Sequence, residues 1–414
     1  MKPNKKTPKR IRKSTNKQTR IDGDVNGTLL SGEVHDSVEI DNRKIEAQNY
    51  IEGGQNNTID NRQFNFTASM WTVITVVIIA LASIGALVYR FAPSPEPAEM
   101  SKDFNVAVAE ISVVDAQGNL IDSPDGSELS QFLYDRLDVS FKEMSPSIFH
   151  EIWNYDRTGV IIGSTPEERR VSAQARAEEI NAHVVIYGVI VQDGDRSTFS
   201  PEFYVNYQGF ENNAPEVLGG NQLGRPFAVD TPFRREIAAS GGNPVLIARS
   251  EALGLITVGL AYYANDDYEN ALDYFDRAVN VDKWLDSAGK EVAYVLRGNA
   301  RVRLASLSKD FTDLPLVLED YTKAWEISVQ TYGRALIGMG GVYYLEAIND
   351  PTAIINGTVD IQKLNQSEKI FQQALALPDQ PTSYNIFAKA HFSLGQIYQL
   401  RSLSLGEAGM DAKA

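Results

Sequence analysis

The pattern of apolar and polar residues is dominated by one long apolar run, residues 70–89, which contains no charged residue. At 1.5 Å per helical residue this run spans about 30 Å, the thickness of the hydrocarbon core of a bilayer. Trp71 and Tyr89 stand at its ends, where aromatic rings favour the membrane interface, and Arg90 closes it. A buried core helix or a cleaved signal peptide fits less well, because polar sequence flanks the run and a long segment precedes it. The pattern predicts a transmembrane helix over residues 70–90.

Residues 103–230 alternate between strand-like and helix-like patterns. Strands are predicted over residues 104–114, 148–155, 183–191 and 198–207, the last two joined by a turn at Asp193-Gly194. One helix should bury Leu129, Phe132, Leu133, Leu137 and Phe141. A second should start at Thr165 and bury Val171, Ala175, Ala177 and Ile180. The order βαβαββ predicts a mixed sheet with helices packed on it.

Three short pieces of this region carry a family resemblance. They are Val106-Ala107-Val108, the pattern ELxxxLxxxL over residues 128–137, and the pattern AxVVIxGxI over residues 182–190. Their order resembles the amino-terminal domain of TolB and the related CsgG-like domain of bacterial envelope proteins. The resemblance implies an α/β domain over residues 103–230.

From residue 251 onward the residue pattern predicts helices, and small and aromatic residues recur at fixed spacing. Gly259, Tyr262, Ala271, Phe275 and Ala278 occupy positions 8, 11, 20, 24 and 27 of a 34-residue unit. The small residues would let two antiparallel helices approach closely, and the aromatic rings would fill the space between neighbouring pairs. This set resembles the tetratricopeptide repeat.

Further units over residues 245–414 keep parts of the same set. The first unit covers residues 252–285, and the others are placed at 291–331, 333–381 and, as a partial unit, 388–414. Their packing residues are Gly298, Tyr321, Ala324, Gly340, Tyr343, Phe371, Ala374, Gly395 and Tyr398. Extra residues are expected between the two helices of the second and third units. The chain is therefore predicted to be an α+β multidomain protein: a single transmembrane helix, an α/β domain with a mixed sheet, and a C-terminal all-α superhelix.

In tetratricopeptide repeats the first helices line a concave groove that accepts peptides. The resemblance places seven residues on that surface: Tyr263, Asn299, Arg303, Arg334, Tyr344, Lys389 and Gln396. Because Arg303, Arg334 and Lys389 are basic, an acidic segment or a free C-terminal carboxylate is the expected partner. Their joint replacement by alanine is expected to leave stability nearly unchanged. Surface charge without function is the competing interpretation, since exposed ion pairs are weak.

Charge is distributed unevenly along a chain whose net charge is −15. Residues 1–21 carry nine Lys/Arg and no acid, whereas the chain from residue 91 onward has 26 basic and 45 acidic residues. The acidic body makes nucleic acid an unfavourable partner. The basic tail, residues 1–20, is predicted to be disordered and to place the N-terminus in the cytoplasm, with the C-terminal domains extracytoplasmic. It could contact anionic lipid, act only as a solvated tail, or bind DNA, the weakest option.

Two polar segments flank the predicted span. Residues 21–68 interleave single β-branched residues with Gly, Asn and Asp, which fits either a small β-repeat or a polar linker. Residues 91–102 contain three prolines and predict a semi-rigid spacer. Gly219-Gly220 and Gly241-Gly242 are interpreted as linker glycines.

The sequence offers little catalytic chemistry. It contains no cysteine, and its histidines His35, His150, His183 and His391 lie in different segments without metal-ligand spacing. Neither a phosphate-binding loop nor a nucleophile elbow occurs. We therefore expect no enzyme activity, no cofactor and no metal. The leading hypothesis is a membrane-anchored scaffold or adaptor that binds protein or peptide partners. The alternative is a transmembrane sensor whose α/β domain binds a small ligand.

Overall fold

The computed structural model describes residues 98–143, 148–210, 214–348, 358–378 and 386–405. The predicted transmembrane helix, the basic tail, residues 21–68 and most of the proline-rich segment lie outside these residues. All of these residues belong to one compact unit, Pro93–Ala414.

One mixed sheet contains the strands of the described residues. They are β1 (Phe104–Val108), β2 (Ser112–Asp115), β3 (His150–Trp153), β4 (Val184–Asp193), β5 (Arg196–Val205), β6 (Gly219–Gln222) and β7 (Phe227–Val229). The order is β3-β1-β4-β5-β6, with β2 beside β4 and β7 beside β5. Pairs among β1 to β4 are parallel, and β5 is antiparallel to its neighbours. The predicted mixed sheet is confirmed.

The strand predicted over residues 104–114 is two strands, β1 and β2, which pair with successive parts of β4. Between them the Ala109 N–H donates to the Ile186 carbonyl at 2.8 Å. The Ile111 N–H donates to the hydroxyl of Ser130 at 2.9 Å. The Ser130 hydroxyl, which belongs to a helix, thus takes the place of a carbonyl group on a neighbouring strand. The hydropathy pattern does not predict this break in the strand.

Helices cover both faces of the sheet. They are α1 (Pro124–Lys142), α2 (Tyr155–Thr158), α3 (Pro166–Ile180) and α4 (Arg235–Ala239). All five apolar residues predicted for the inner face of α1 are buried. The helix α3 begins after Thr165, as predicted. Its start is a capping box in which Thr165 and Glu168 satisfy each other's backbone N–H groups.

The buried face of α3 differs from the predicted one. Val171 is 51% exposed and Ala175 is exposed, so their predicted burial is wrong. The inner residues are Arg169, Ala173, Ala177 and Ile180. Arg169 forms a buried ion pair with Glu202 of β5 at 2.5 Å. With this arginine turned inward, the helical period carries Val171 to the outside.

Helices alone form the rest of the described chain. They are α5 (Pro244–Ala264), α6 (Tyr268–Val279), α7 (Glu291–Ser308), α8 (Leu314–Ile327), α9 (Gly333–Ala347), α10 (Ile361–Leu375) and α11 (Ile386–Leu405). Consecutive helices pack as the pairs α5–α6, α7–α8 and α9–α10, and each pair packs on the next. Only residues 309–313 separate α7 from α8. The extra residues expected there lengthen the helices and not the connection.

A glycine on the first helix of each pair lies against an aromatic ring on the second. The contacts join Gly259 to Phe275, Gly298 to Tyr321 and Gly340 to Phe371. A Cβ atom added to these glycines would lie 2.5, 2.8 and 2.6 Å from the rings, closer than the 3.0 Å below which real Cβ contacts essentially never occur. Of the other predicted packing residues, Tyr262, Ala271, Ala278, Ala324 and Ala374 are buried, and Tyr343, Gly395 and Tyr398 are half-buried.

Two neighbouring glycines of α9 offer a matched test of this packing. Gly340→Ala is expected to lower the free energy of unfolding by about 1–3 kcal/mol, because the buried ring of Phe371 has no room to move away. Gly341→Ala is expected to raise it by about 0.5–1 kcal/mol, because alanine favours the helix and the new methyl group would meet nothing within 4 Å. Urea unfolding of residues 93–414 measures both. Equal shifts in the same direction would contradict the close approach at Gly340.

The long apolar helix α5 connects the sheet to the helical pairs. By length and composition alone it could cross a membrane, but 83% of its apolar window is buried inside the protein. Gly254 of α5 packs against Ser140 of α1, where an added Cβ atom would lie 2.3 Å from the hydroxyl oxygen. One cluster of buried apolar residues runs from Phe104 in β1 to Ala300 in α7. The sheet and the first helical pairs therefore share a core.

Candidate functional site

A cavity of about 340 Å³ opens between α7, α9 and α11. Much of its wall is apolar and comes from Val295, Val302, Ile337, Val342, Leu345 and Ile386. Gly341 also lines it and has open space beside its Cα atom. We call this cavity and the side chains around it the groove.

Five of the seven residues predicted for a peptide-binding surface line the groove: Asn299, Arg303, Arg334, Tyr344 and Lys389. They come from α7, α9 and α11, the first helices of three successive predicted units. Tyr263 of α5 is fully buried and reaches the groove only through a shared partner, Glu216. Gln396 is exposed on α11 and is not part of the groove wall.

Glu216 is a groove residue that the sequence did not reveal. It lies in the connection between β5 and β6 and is not among the predicted site residues. Its carboxylate accepts hydrogen bonds from Arg303 Nε at 2.7 Å and Nη2 at 2.9 Å, and a third from the Tyr263 hydroxyl. The nearby Gly219-Gly220, interpreted from the sequence as linker glycines, belongs to strand β6, so that interpretation is wrong. Glu216 reaches the groove because the sheet and the helices pack on a shared core.

Two further cations hold the backbone of residues 214–220. Arg334 donates to the carbonyl oxygens of Glu216, Leu218 and Gly220 at 3.2, 2.6 and 3.3 Å. Lys389 Nζ donates to the carbonyl oxygen of Pro215 at 2.7 Å. Arg303, Arg334 and Lys389 therefore bind a segment of their own chain. Because these contacts are part of the fold, we now expect replacement of all three by alanine to lower stability.

The groove carries an excess of positive charge, since three cations and one carboxylate line it. Burial, reinforced by the charge of Arg334, lowers the pKa of Lys389 to about 7. Burial alone would lower the pKa of Arg303, but the hydrogen bonds and charge of Glu216 raise it overall. Burial, together with the neighbouring Glu216, raises the pKa of Tyr263 well above its usual value. The site is thus suited to a further negative charge near Lys389.

Uncharged polar groups complete the wall. Asn299 is 6% exposed, and its Oδ1 accepts a hydrogen bond from the Tyr321 hydroxyl at 2.8 Å. Its Nδ2 has no hydrogen-bond partner within the described part of the chain. A buried donor without a partner is unfavourable by about 1–3 kcal/mol, so Asn299 leaves an unsatisfied polar atom in the wall.

An ion network lies on the side of α7 that faces away from the groove. Asp320 of α8 is 1% exposed and accepts hydrogen bonds from Arg297 at 2.5 Å and Arg301 at 2.7 Å. Arg297 also donates to Asp276 of α6 at 2.7 Å. Positions 297 and 301 lie about half a helical turn away from 299 and 303. The network therefore holds one face of α7 against α6 and α8, while the opposite face of α7 lines the groove.

The α/β part offers two cavities and a structural histidine. A cavity beneath α3, lined by Tyr187 and Glu202 among others, holds about 20 Å³, room for about one water molecule. A second cavity, of about 250 Å³, lies beside α4 and is lined in part by Phe233. His183 is buried and accepts a hydrogen bond from the Asn105 N–H at 3.3 Å, and burial lowers its pKa to about 4. Within the residues that the structure describes, no group of three or more His, Asp or Glu could hold a metal ion.

Comparison with known proteins adds no relative. No family model, no curated protein and no solved structure matches this chain. The resemblances to tetratricopeptide repeats and to TolB-like domains therefore stay predictions.

Proposed function

We propose that this chain is a single-pass membrane-anchored scaffold or adaptor of the bacterial envelope, and that it binds protein or peptide partners in the groove. In this proposal the helical pairs form a tetratricopeptide-type superhelix. Residues 70–90 span the bilayer with the N-terminus in the cytoplasm, the basic tail meets anionic headgroups, and the described residues lie on the opposite side.

One observation carries the proposal: the groove already binds a turn of its own polypeptide, residues 214–220, that carries a carboxylate. Arg334 and Lys389 donate to main-chain carbonyl oxygens of residues 214–220, and Arg303 pairs with a side-chain carboxylate. Hydrogen bonds to main-chain carbonyl oxygens give affinity that does not depend on the peptide's side chains, and paired guanidinium–carboxylate contacts add selectivity. These are the interactions that a peptide-binding site requires.

The open cavity beside this segment supports the same function. Its volume of about 340 Å³ lies at the lower end of the range of ligand pockets, and its largely apolar wall would bury an aliphatic or aromatic side chain. The expected partner is an acidic peptide with one large apolar residue next to its carboxylate. The sensor alternative has smaller cavities to draw on, one of about 20 Å³ beneath α3 and one of about 250 Å³ beside α4.

Filling the cavity tests the proposal. The full chain in lipid nanodiscs is used to select binders from a displayed library of eight-residue peptides, and affinities are measured by fluorescence anisotropy. Gly341→Leu places a side chain in open space within the cavity and is expected to weaken binding of the selected peptides at least about tenfold.

The matched control is Gly341→Ala, which adds one carbon at the same position and should bind like the unaltered protein. Thermal unfolding shows that both variants are folded. Unchanged binding by Gly341→Leu, or a library without binders to the unaltered chain, would sink the proposal.

A further inference from the structure

Arg303, the arginine that a partner's carboxylate would bind, is already paired with a carboxylate of the chain itself, that of Glu216. Glu216 approaches Arg303 with both oxygens, at 2.7 and 2.9 Å, and also accepts the hydroxyl hydrogen of Tyr263. Among the described residues that line the groove, Glu216 is the acidic one. We infer that Glu216 is an intramolecular competitor, whose side chain an acidic partner peptide must replace at Arg303. The inference rests on the proposed function of the groove.

The segment that carries Glu216 is anchored on its other side. Ala214 and Val217 are each 1% exposed and belong to the core shared by the sheet and the first helical pairs. Gly219 and Gly220 pair with β5. Residues 214–220 therefore stay in place as a whole, and the exchange concerns the carboxylate of Glu216 alone.

The ion pair is exposed enough to open. The side chains of Arg303 and Glu216 are 30% and 28% exposed, so water can solvate either charge when the pair separates. A half-buried ion pair with this access to solvent separates at lower cost than a fully buried one. By contrast, the buried pair of Arg169 and Glu202, at 5% and 7% exposure, could not open without leaving two charges unsolvated. Rotation of Glu216 towards solvent frees Arg303 while the backbone contacts of Arg334 and Lys389 remain.

This arrangement selects for the charge of the partner. A neutral peptide gains nothing from displacing Glu216, because Arg303 would lose its counter-charge. An acidic peptide restores that counter-charge, so the exchange is nearly balanced and the apolar cavity supplies the remaining affinity. Affinity for acidic peptides should fall with added salt.

The experiment compares the full chain with its Glu216→Gln variant, both in lipid nanodiscs. The probe is a fluorescent, end-capped peptide with the sequence of residues 214–220, APEVLGG, and its control has Gln in place of Glu. Removing the competing charge is expected to tighten binding of the acidic probe at least about tenfold. Binding of the neutral control should be the same in both proteins.

A second variant guards against misfolding of the first. Tyr263→Phe keeps the Glu216 carboxylate but removes one of its donors, so it should tighten binding of the acidic probe by a smaller factor. Equal affinity of the probe for all three proteins overturns the inference. If the library-selected peptides still bind and Gly341→Leu still blocks them, the proposed function survives that result. A chain that binds neither the probe nor any library peptide overturns both.

Discussion

Replacing Arg169 with methionine is expected to lower the free energy of unfolding by about 3–5 kcal/mol, because it leaves a carboxylate buried without a partner. Arg169 donates to Glu202 from Nε at 3.1 Å and from Nη2 at 2.5 Å. At 7% exposure, Glu202 could gain at most the single water molecule that the cavity beneath α3 has room for, which does not replace the two hydrogen bonds from the lost arginine. Burial raises the pKa of the Glu202 carboxyl, and the hydrogen bonds from Arg169 oppose that rise. Urea unfolding of residues 93–414, followed by circular dichroism, measures the loss.

A surface pair with the same separation provides the control. Lys142 and Asp138 also approach to 2.5 Å, but their side chains are 70% and 40% exposed. Lys142→Met should leave the unfolding midpoint unchanged within error. The double variant Arg169→Met with Glu202→Leu should recover most of the loss, since it removes both buried charges. Equal effects of Arg169→Met and Lys142→Met would show that burial does not decide the outcome.

Asp320→Asn is expected to destabilise the helical pairs by about 3 kcal/mol, because one carboxylate balances two arginines there. Asp320 accepts from Arg297 through Oδ1 and from Arg301 through Oδ2, and it is 1% exposed. Asparagine keeps the shape but removes the charge. Arg297 retains Asp276, whereas the structure records only the Leu316 carbonyl as a further acceptor for Arg301. The same unfolding measurement applies, and hydrogen exchange should quicken in α7 and α8.

Lys323 on the same helix supplies the matched control. It pairs with Asp286 at 2.9 Å, with both side chains about 40% exposed. Lys323→Met should change neither the unfolding midpoint nor the hydrogen exchange of α7. If Asp320→Asn behaves like Lys323→Met, the network does not hold α7. The shape of the groove would then have to be maintained by apolar packing alone.

Local signals in the sequence determined several elements of the α/β part. The apolar stripe of α1, the Thr165 start of α3 and the turn between β4 and β5 all depend on residues within a few positions of each other. Such short-range patterns reflect helical or strand periodicity and turn chemistry, which neighbouring residues alone can satisfy. The prediction failed where one distant polar group intervened. Ser130 interrupts the first strand, and Arg169 turns α3 towards Glu202.

The same division holds for the groove. The spacing of small and aromatic residues identified Gly259, Gly298 and Gly340, because each contact joins two helices that are adjacent in sequence. The sequence also indicated the three cations that line the groove, Arg303, Arg334 and Lys389. Only the tertiary structure decided what those cations bind, since Lys389 meets Pro215 across 174 positions of the chain. Hydropathy records how strongly each residue avoids water, and not which distant carboxylate or carbonyl oxygen will face it. Glu216, the residue on which the chemistry of the groove turns, therefore becomes visible only when the sheet and the helices pack on one core.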